Sequence, residues 1–66
     1  MRVFVNGETK EFDAALKLHD LLARLDVPAQ RIAVELNKSV IRRQDWEITE
    51  VRDSDKIEIV HFVGGG

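Results

Sequence analysis

Apolar and polar residues follow a period of two at both ends of this 66-residue chain and a helical period between them. Arg2-Val3-Phe4-Val5-Asn6 is a β-branched and aromatic run that reads as a strand, with Val3 and Val5 on one face and Phe4 on the other. Asn6-Gly7 is a strong hairpin-turn signal. Glu8-Thr9-Lys10-Glu11-Phe12 should return antiparallel as an edge strand, because its charged side chains discourage further pairing. Phe12 is expected to anchor it to the core. Leu18, Leu21, Leu22 and Leu25 then fall at i, i+3, i+4 and i+7, one apolar stripe on a helix. Asp20, Ala23 and Arg24 occupy the outer side of that helix. Its start lies somewhere between Ala14 and Leu18, with Asp13 the nearest capping candidate. Asp26-Val27-Pro28 ends it, since a residue before proline is disfavoured in the α region.

Alternation resumes in Ile32-Ala33-Val34-Glu35-Leu36-Asn37, which places Ile32, Val34 and Leu36 on one face of a third strand. Asn37-Lys38-Ser39 turns the chain into a short Val40-Ile41 strand. Arg43-Gln44-Asp45-Trp46 reads as a single turn, with Trp46 and Ile48 as anchors into the core. Asp53-Ser54-Asp55 is a turn before the longest β signal, Lys56 to Val63. In that last strand Ile57 and Ile59 point inward, and Glu58, which needs water, carries Val60 and Phe62 to the outer face. If the first and last strands are neighbours, Phe4, Val60 and Phe62 share that outer face as an apolar patch, the kind of surface that marks a partner site. The order predicts an α+β domain, a mixed sheet of four to five strands packed on one helix.

Composition narrows the function. Ten basic residues against twelve acidic ones give a formal charge of −2. Nucleic-acid binding needs an excess of Lys and Arg along one face, and Arg42-Arg43 is the only basic doublet. The chain has no cysteine, so it holds no disulfide, thiolate metal site or thiol nucleophile. No apolar run approaches the roughly 20 residues of a membrane span, and Met1 leads directly into a strand, so a cytoplasmic location is expected. His19 and His61 have no Ser-His-Asp ordering or carboxylate cluster around them and read as surface residues. Asp53 and Asp55 fall short of the six to eight oxygens calcium takes and read as turn formers. No metal site and no catalytic side chain are expected.

The sequence closes on Gly64-Gly65-Gly66, directly after the last strand. Glycine has no Cβ, so such a segment can lie in a channel that excludes side chains. Three extended residues carry the carboxylate about 10 Å beyond the body. Residues 1–63 thus form the domain and 64–66 a flexible tail.

Taken together, Met1 to Gly7, the leucine-striped helix, Val34-Glu35-Leu36-Asn37 and the ending Ile59-Val60-His61-Phe62-Val63-Gly64-Gly65-Gly66 resemble the ThiS family along the whole chain. These are sulfur carriers of thiazole formation in thiamine biosynthesis, with the ubiquitin-like β-grasp fold. The resemblance implies that Gly66 is adenylated and converted to a thiocarboxylate, with Gly64 and Gly65 threading the partner's channel. It implies an adenylyltransferase partner of the ThiF type, related to ubiquitin-activating enzymes, which uses ATP and magnesium, together with a sulfur donor and a thiazole synthase of the ThiG type. Phe4, Val60 and Phe62 are the expected docking residues. The carrier itself binds no cofactor in this scheme and is not an enzyme. Two alternatives stay open: the small sulfur-carrying subunit of molybdopterin synthase, and a ubiquitin-like modifier or interaction module.

Overall fold

The computed structural model of the chain describes residues 1–28 and 30–62. Strand β1 is Arg2–Val5 and β2 is Glu8–Glu11, joined by the Asn6-Gly7 turn. Both turn residues have positive φ, 49° and 83°, and Val5 lies opposite Glu8. That geometry is the two-residue turn whose twist matches the strands it connects. A two-residue strand β3, Leu16–Lys17, runs directly into helix α1, Leu18–Arg24. Strands β4 (Ile32–Leu36) and β5 (Ser39–Ile41) follow, then a 3-10 turn at Arg43–Asp45, a second two-residue strand β6 (Glu50–Val51) and the long strand β7, Lys56–His61.

The main sheet has the order β2-β1-β7-β4-β5, with β1 and β7 parallel and the other pairs antiparallel. The longest and last strand therefore lies at the centre. Its inward residues Ile57 and Ile59 meet Val3, Val5, Ile32 and Val34 from the flanking strands, and Leu18, Leu21 and Leu22 cover them from α1. Trp46 and Val51 complete the buried set, while Phe12, Leu25 and Leu36 are half-buried against it. The stripe, the strand parity and the Trp46 anchor all fold as expected.

Ile48 does not. It is 72% exposed, and Val51 is the residue that enters the core. Trp46 turns inward from the 3-10 turn, its indole N–H donating to Ile41 O (3.0 Å). Ile48 N–H then donates to Asp45 O (3.2 Å) and Thr49 Oγ1 to the same carbonyl (2.6 Å), so the backbone curls and Ile48 faces outward.

The helix starts at Leu18, the latest of the expected positions, because Leu16 and Lys17 pair with Val51 and Glu50. This second sheet explains the missing cap. No side chain caps the helix at Lys17; instead Leu18 N–H donates to Thr49 O (2.8 Å) and His19 N–H to Trp46 O (3.1 Å). Two of the free N–H groups at a helix start are thereby satisfied from across the fold. At the other end Asp26 adopts a φ of 58°, with Asp26 N–H donating to Ala23 O and Val27 N–H to Leu22 O. These are the paired bonds of a Schellman stop, so the helix is closed by its own backbone before Pro28 is reached.

The Asp53-Ser54-Asp55 turn, which leads into β7, is bonded to β1. Asp53 Oδ1 accepts from Arg2 N–H (2.7 Å) and Ser54 N–H donates to Arg2 O. The Arg2 N–H bond is the main reason the Asp53 carboxyl lies below its usual pKa. A depressed folded-state pKa contributes stability that is present above the unfolded value and lost as pH falls through the folded one. Asp53→Asn should therefore leave an acid melting profile flatter than that of the wild type below about pH 4, where an ordinary aspartate titrates. Thermal midpoints measured across about pH 2–7 check this.

Candidate docking face

One face of the main sheet carries the helix, and the other carries the residues of interest. Parity along β7 sends Lys56, Glu58 and Val60 outward, and the exposed Phe62 continues that series directly after the strand. Phe62 N–H donates to Arg31 O (2.8 Å), so the main chain remains tied to the β4 side beyond His61. Val60 is 51% exposed and lies opposite Ala33, while Phe62 is 57% exposed. Val40, 68% exposed, lies opposite Glu35 on β4, and Glu35 in turn opposite Glu58.

Phe4 is also on this face, but it lies apart. It is half-buried and pairs in register with Lys56, four residues before Val60. At about 3.3 Å per residue that offset is roughly 13 Å along the strand. Glu58 lies between them. The expected three-residue patch is therefore two apolar spots, Phe4 near the start of β7 and Val60 with Phe62 near its end. Val40 is an addition that residue type alone did not single out. Its signal was the parity of its own short strand, in which Ile41 turns inward beside Val34.

β4 pairs with one edge of β7 through to His61, and on the other edge the end of β7 is held by Asn6. Strand β1 stops at Val5, and Asn6 N–H donates to Ile57 O (2.9 Å). Two residues further on, the Asn6 side chain takes the place of a neighbouring strand: Oδ1 accepts from Ile59 N–H (2.7 Å) and Nδ2 donates to Ile59 O (3.3 Å). Sequence reasoning assigned Asn6 to the turn alone, because an asparagine before glycine is already accounted for by its positive φ. Asn6→Ala should cost about 1–3 kcal/mol by stranding the Ile59 N–H. Asn6→Gly keeps the turn conformation and isolates the loss of the two bonds. Urea unfolding of both variants checks it, and the prediction is that glycine rescues only part of the deficit.

Beyond Phe62, Val63 and the glycines Gly64, Gly65 and Gly66 lie outside the described residues. The two histidines, His19 and His61, are exposed. Among the described residues there is no cluster of three metal-ligating side chains, and no helix is long and apolar enough to cross a membrane.

The model of the ThiS family matches residues 3–66, through the three glycines. This chain belongs to the ThiS family. The chain is 45% identical to the sulfur carrier protein ThiS of Bacillus subtilis over 49 residues, 74% of each protein. The crystal structure of the thiamine biosynthesis protein ThiS from Geobacter metallireducens superimposes with a TM-score of 0.89 at 38% identity, covering all of both chains. A thiazole synthase of Paramagnetospirillum magneticum is 38% identical over all 66 residues, and there the chain spans only 20% of the relative's length. The five-stranded mixed sheet with one helix across it is the ubiquitin-like β-grasp fold of this family of sulfur carriers, which act in thiamine biosynthesis.

Proposed function

We propose that this chain carries sulfur on its last residue: Gly66 is adenylated, converted to a thiocarboxylate, and gives up that sulfur for thiazole formation. The observation that supports it most is the family match running through Gly64-Gly65-Gly66, which follow in sequence the strand that forms the centre of the sheet. Chemistry explains why activation is needed. An α-carboxyl group titrates near pH 3.5, so at neutral pH it is a carboxylate that repels nucleophiles and has no good leaving group. Adenylation by ATP joins the carboxylate oxygen to the α-phosphorus and releases pyrophosphate. Sulfide supplied as HS⁻ by a sulfur donor then attacks the carbonyl carbon, AMP leaves with the bonding pair, the S–H proton is lost to solvent, and the carrier ends in –C(O)S⁻.

No side chain of the carrier takes part in these steps. The partner, a ThiF-type adenylyltransferase, supplies the ATP and magnesium site, and the carrier supplies the carboxylate, the glycine thread and the outer face of the sheet. A sulfur donor and a ThiG-type thiazole synthase complete the cycle in the cytoplasm. The thiazole synthase relative, one fifth of which resembles this chain, supports that last pairing. The direct test of activation is isotope exchange between pyrophosphate and ATP catalysed by the adenylyltransferase. Exchange that depends on this chain supports the proposal, and exchange at the same rate without it counts against it.

A further inference from the structure

The Asn6 side chain does for Ile59 what a neighbouring backbone would do. A carboxamide carries an acceptor and donors in one planar group, as a peptide unit does. Oδ1 takes the Ile59 N–H (2.7 Å) and Nδ2 meets the Ile59 carbonyl (3.3 Å). Strand β1 has ended at Val5, which pairs with Ile57, so this clasp continues the β1 edge of β7 past the end of its partner. Asparagine suits both halves of the task. Its backbone stands at a φ of 49°, in the left-handed region that asparagine enters more readily than most residues. Aspartate would supply the acceptor alone and set a carboxylate against the Ile59 carbonyl.

On the opposite edge the same stretch is held by β4, through the pairing of Ile32 with His61. Arg31 then takes a left-handed φ of 60° and its carbonyl accepts from Phe62 N–H (2.8 Å). Both edges of the last strand are thus fixed close to the point where the chain runs on to Gly66, four residues beyond Phe62. We propose that Asn6 is a positioning residue for the reaction at Gly66: by completing the β1 edge of β7 it keeps residues 59–62 in the sheet. Only the four residues beyond Phe62 are then left to be placed in the activating site, a span of at most about 14 Å when extended. Without the clasp, Ile59 to His61 form an edge bonded from one side alone. Each residue that peels away must be ordered again before Gly66 can react, and ordering one residue lowers the productive population by about tenfold. Asn6 acts through the main chain and touches no reacting atom.

The proposal rests on the activation reading above, so carrier-dependent pyrophosphate exchange with the wild type is measured first. Exchange that does not depend on the chain removes that reading and this one with it. Where the wild type supports exchange, rates are measured against carrier concentration for Asn6→Gly, Asn6→Asp and Val51→Ala. Val51→Ala truncates a buried residue of the two-stranded sheet and is the control for lost stability. Lost stability alone reduces the folded fraction, so it raises the apparent KM and leaves the rate at saturating carrier unchanged. A missing clasp leaves a folded carrier that binds but presents Gly66 less often, so the saturating rate itself falls. Asn6→Gly should lower it by about tenfold or more. Asn6→Asp, which keeps the bond to Ile59 N–H, should lower it by less, and Val51→Ala not at all. Amide hydrogen exchange followed by NMR should quicken at Ile59 and Phe62 in the Asn6 variants, and not at Val3. A wild-type saturating rate in both Asn6 variants overturns the proposal, and Asn6→Asp alone decides if Asn6→Gly fails to fold. An equal fall in Val51→Ala overturns it as well, because the effect would then be one of stability. So does a fall in rate with amide exchange unchanged at Ile59 and Phe62, since Asn6 would not be acting through β7.

Discussion

Removal of Gly66 is expected to abolish thiocarboxylate formation while leaving the unfolding transition unchanged. The shortened chain still ends in a carboxylate, so chemistry alone does not predict the loss. Position does. One residue fewer draws the carboxylate back by about 3.5 Å. Reacting atoms must approach to about 3–3.5 Å with their orbitals aligned, and a displacement of even 1 Å costs on the order of a hundredfold in rate. The carrier cannot advance to compensate if its outer face is already seated on the partner. Among the described residues the buried core runs from Val3 to Ile59, and the unfolding transition is therefore expected not to depend on Gly66. Sulfur transfer at the wild-type rate by the truncated chain would remove the proposed role of this residue. An altered melting point would show that the tail has a structural role.

The second large effect concerns Trp46. It is 2% exposed, and its indole N–H satisfies Ile41 O at the end of β5. Truncation of a buried tryptophan to alanine costs about 3–5 kcal/mol. A domain of this size has about 3–10 kcal/mol in total, at 0.05–0.15 kcal/mol per residue. No disulfide is available to limit the damage, because the chain has no cysteine. Trp46→Ala should therefore be partly or wholly unfolded at room temperature. Circular dichroism under urea is the suitable probe, since the variant has lost the chain's only tryptophan. Ile48→Ala, two residues away and 72% exposed, should stay within about 0.5 kcal/mol of wild type. Equal losses at the two positions would contradict the packing described above.

These neighbouring positions show how far sequence reasoning reaches. The hairpin at Asn6-Gly7, the leucine stripe, and the inward faces of β1, β4 and β7 were legible because each follows from local periodicity. Ile48 was not, since its orientation depends on a 3-10 turn and on Thr49 bonding back to Asp45. The β3 and β6 pair escaped because two residues are too few to show a period, and its partners are 33 or more residues apart. That pair also decided where the helix starts. On the outer face, parity assigned Phe4, Val60 and Phe62 correctly, but the register between β1 and β7 is a tertiary property, and it separates Phe4 from the other two. The double use of Asn6 was hidden because a turn role already explained the residue.

The measurement closest to the central claim is intact-mass spectrometry of the carrier co-expressed with its adenylyltransferase and a sulfur donor. A carrier heavier by the difference between one sulfur and one oxygen, with the change confined to Gly66 and absent from the Gly66 deletion, is the predicted outcome. A mass that never changes under those conditions would contradict the account, as would a ladder of conjugates to lysines of other proteins.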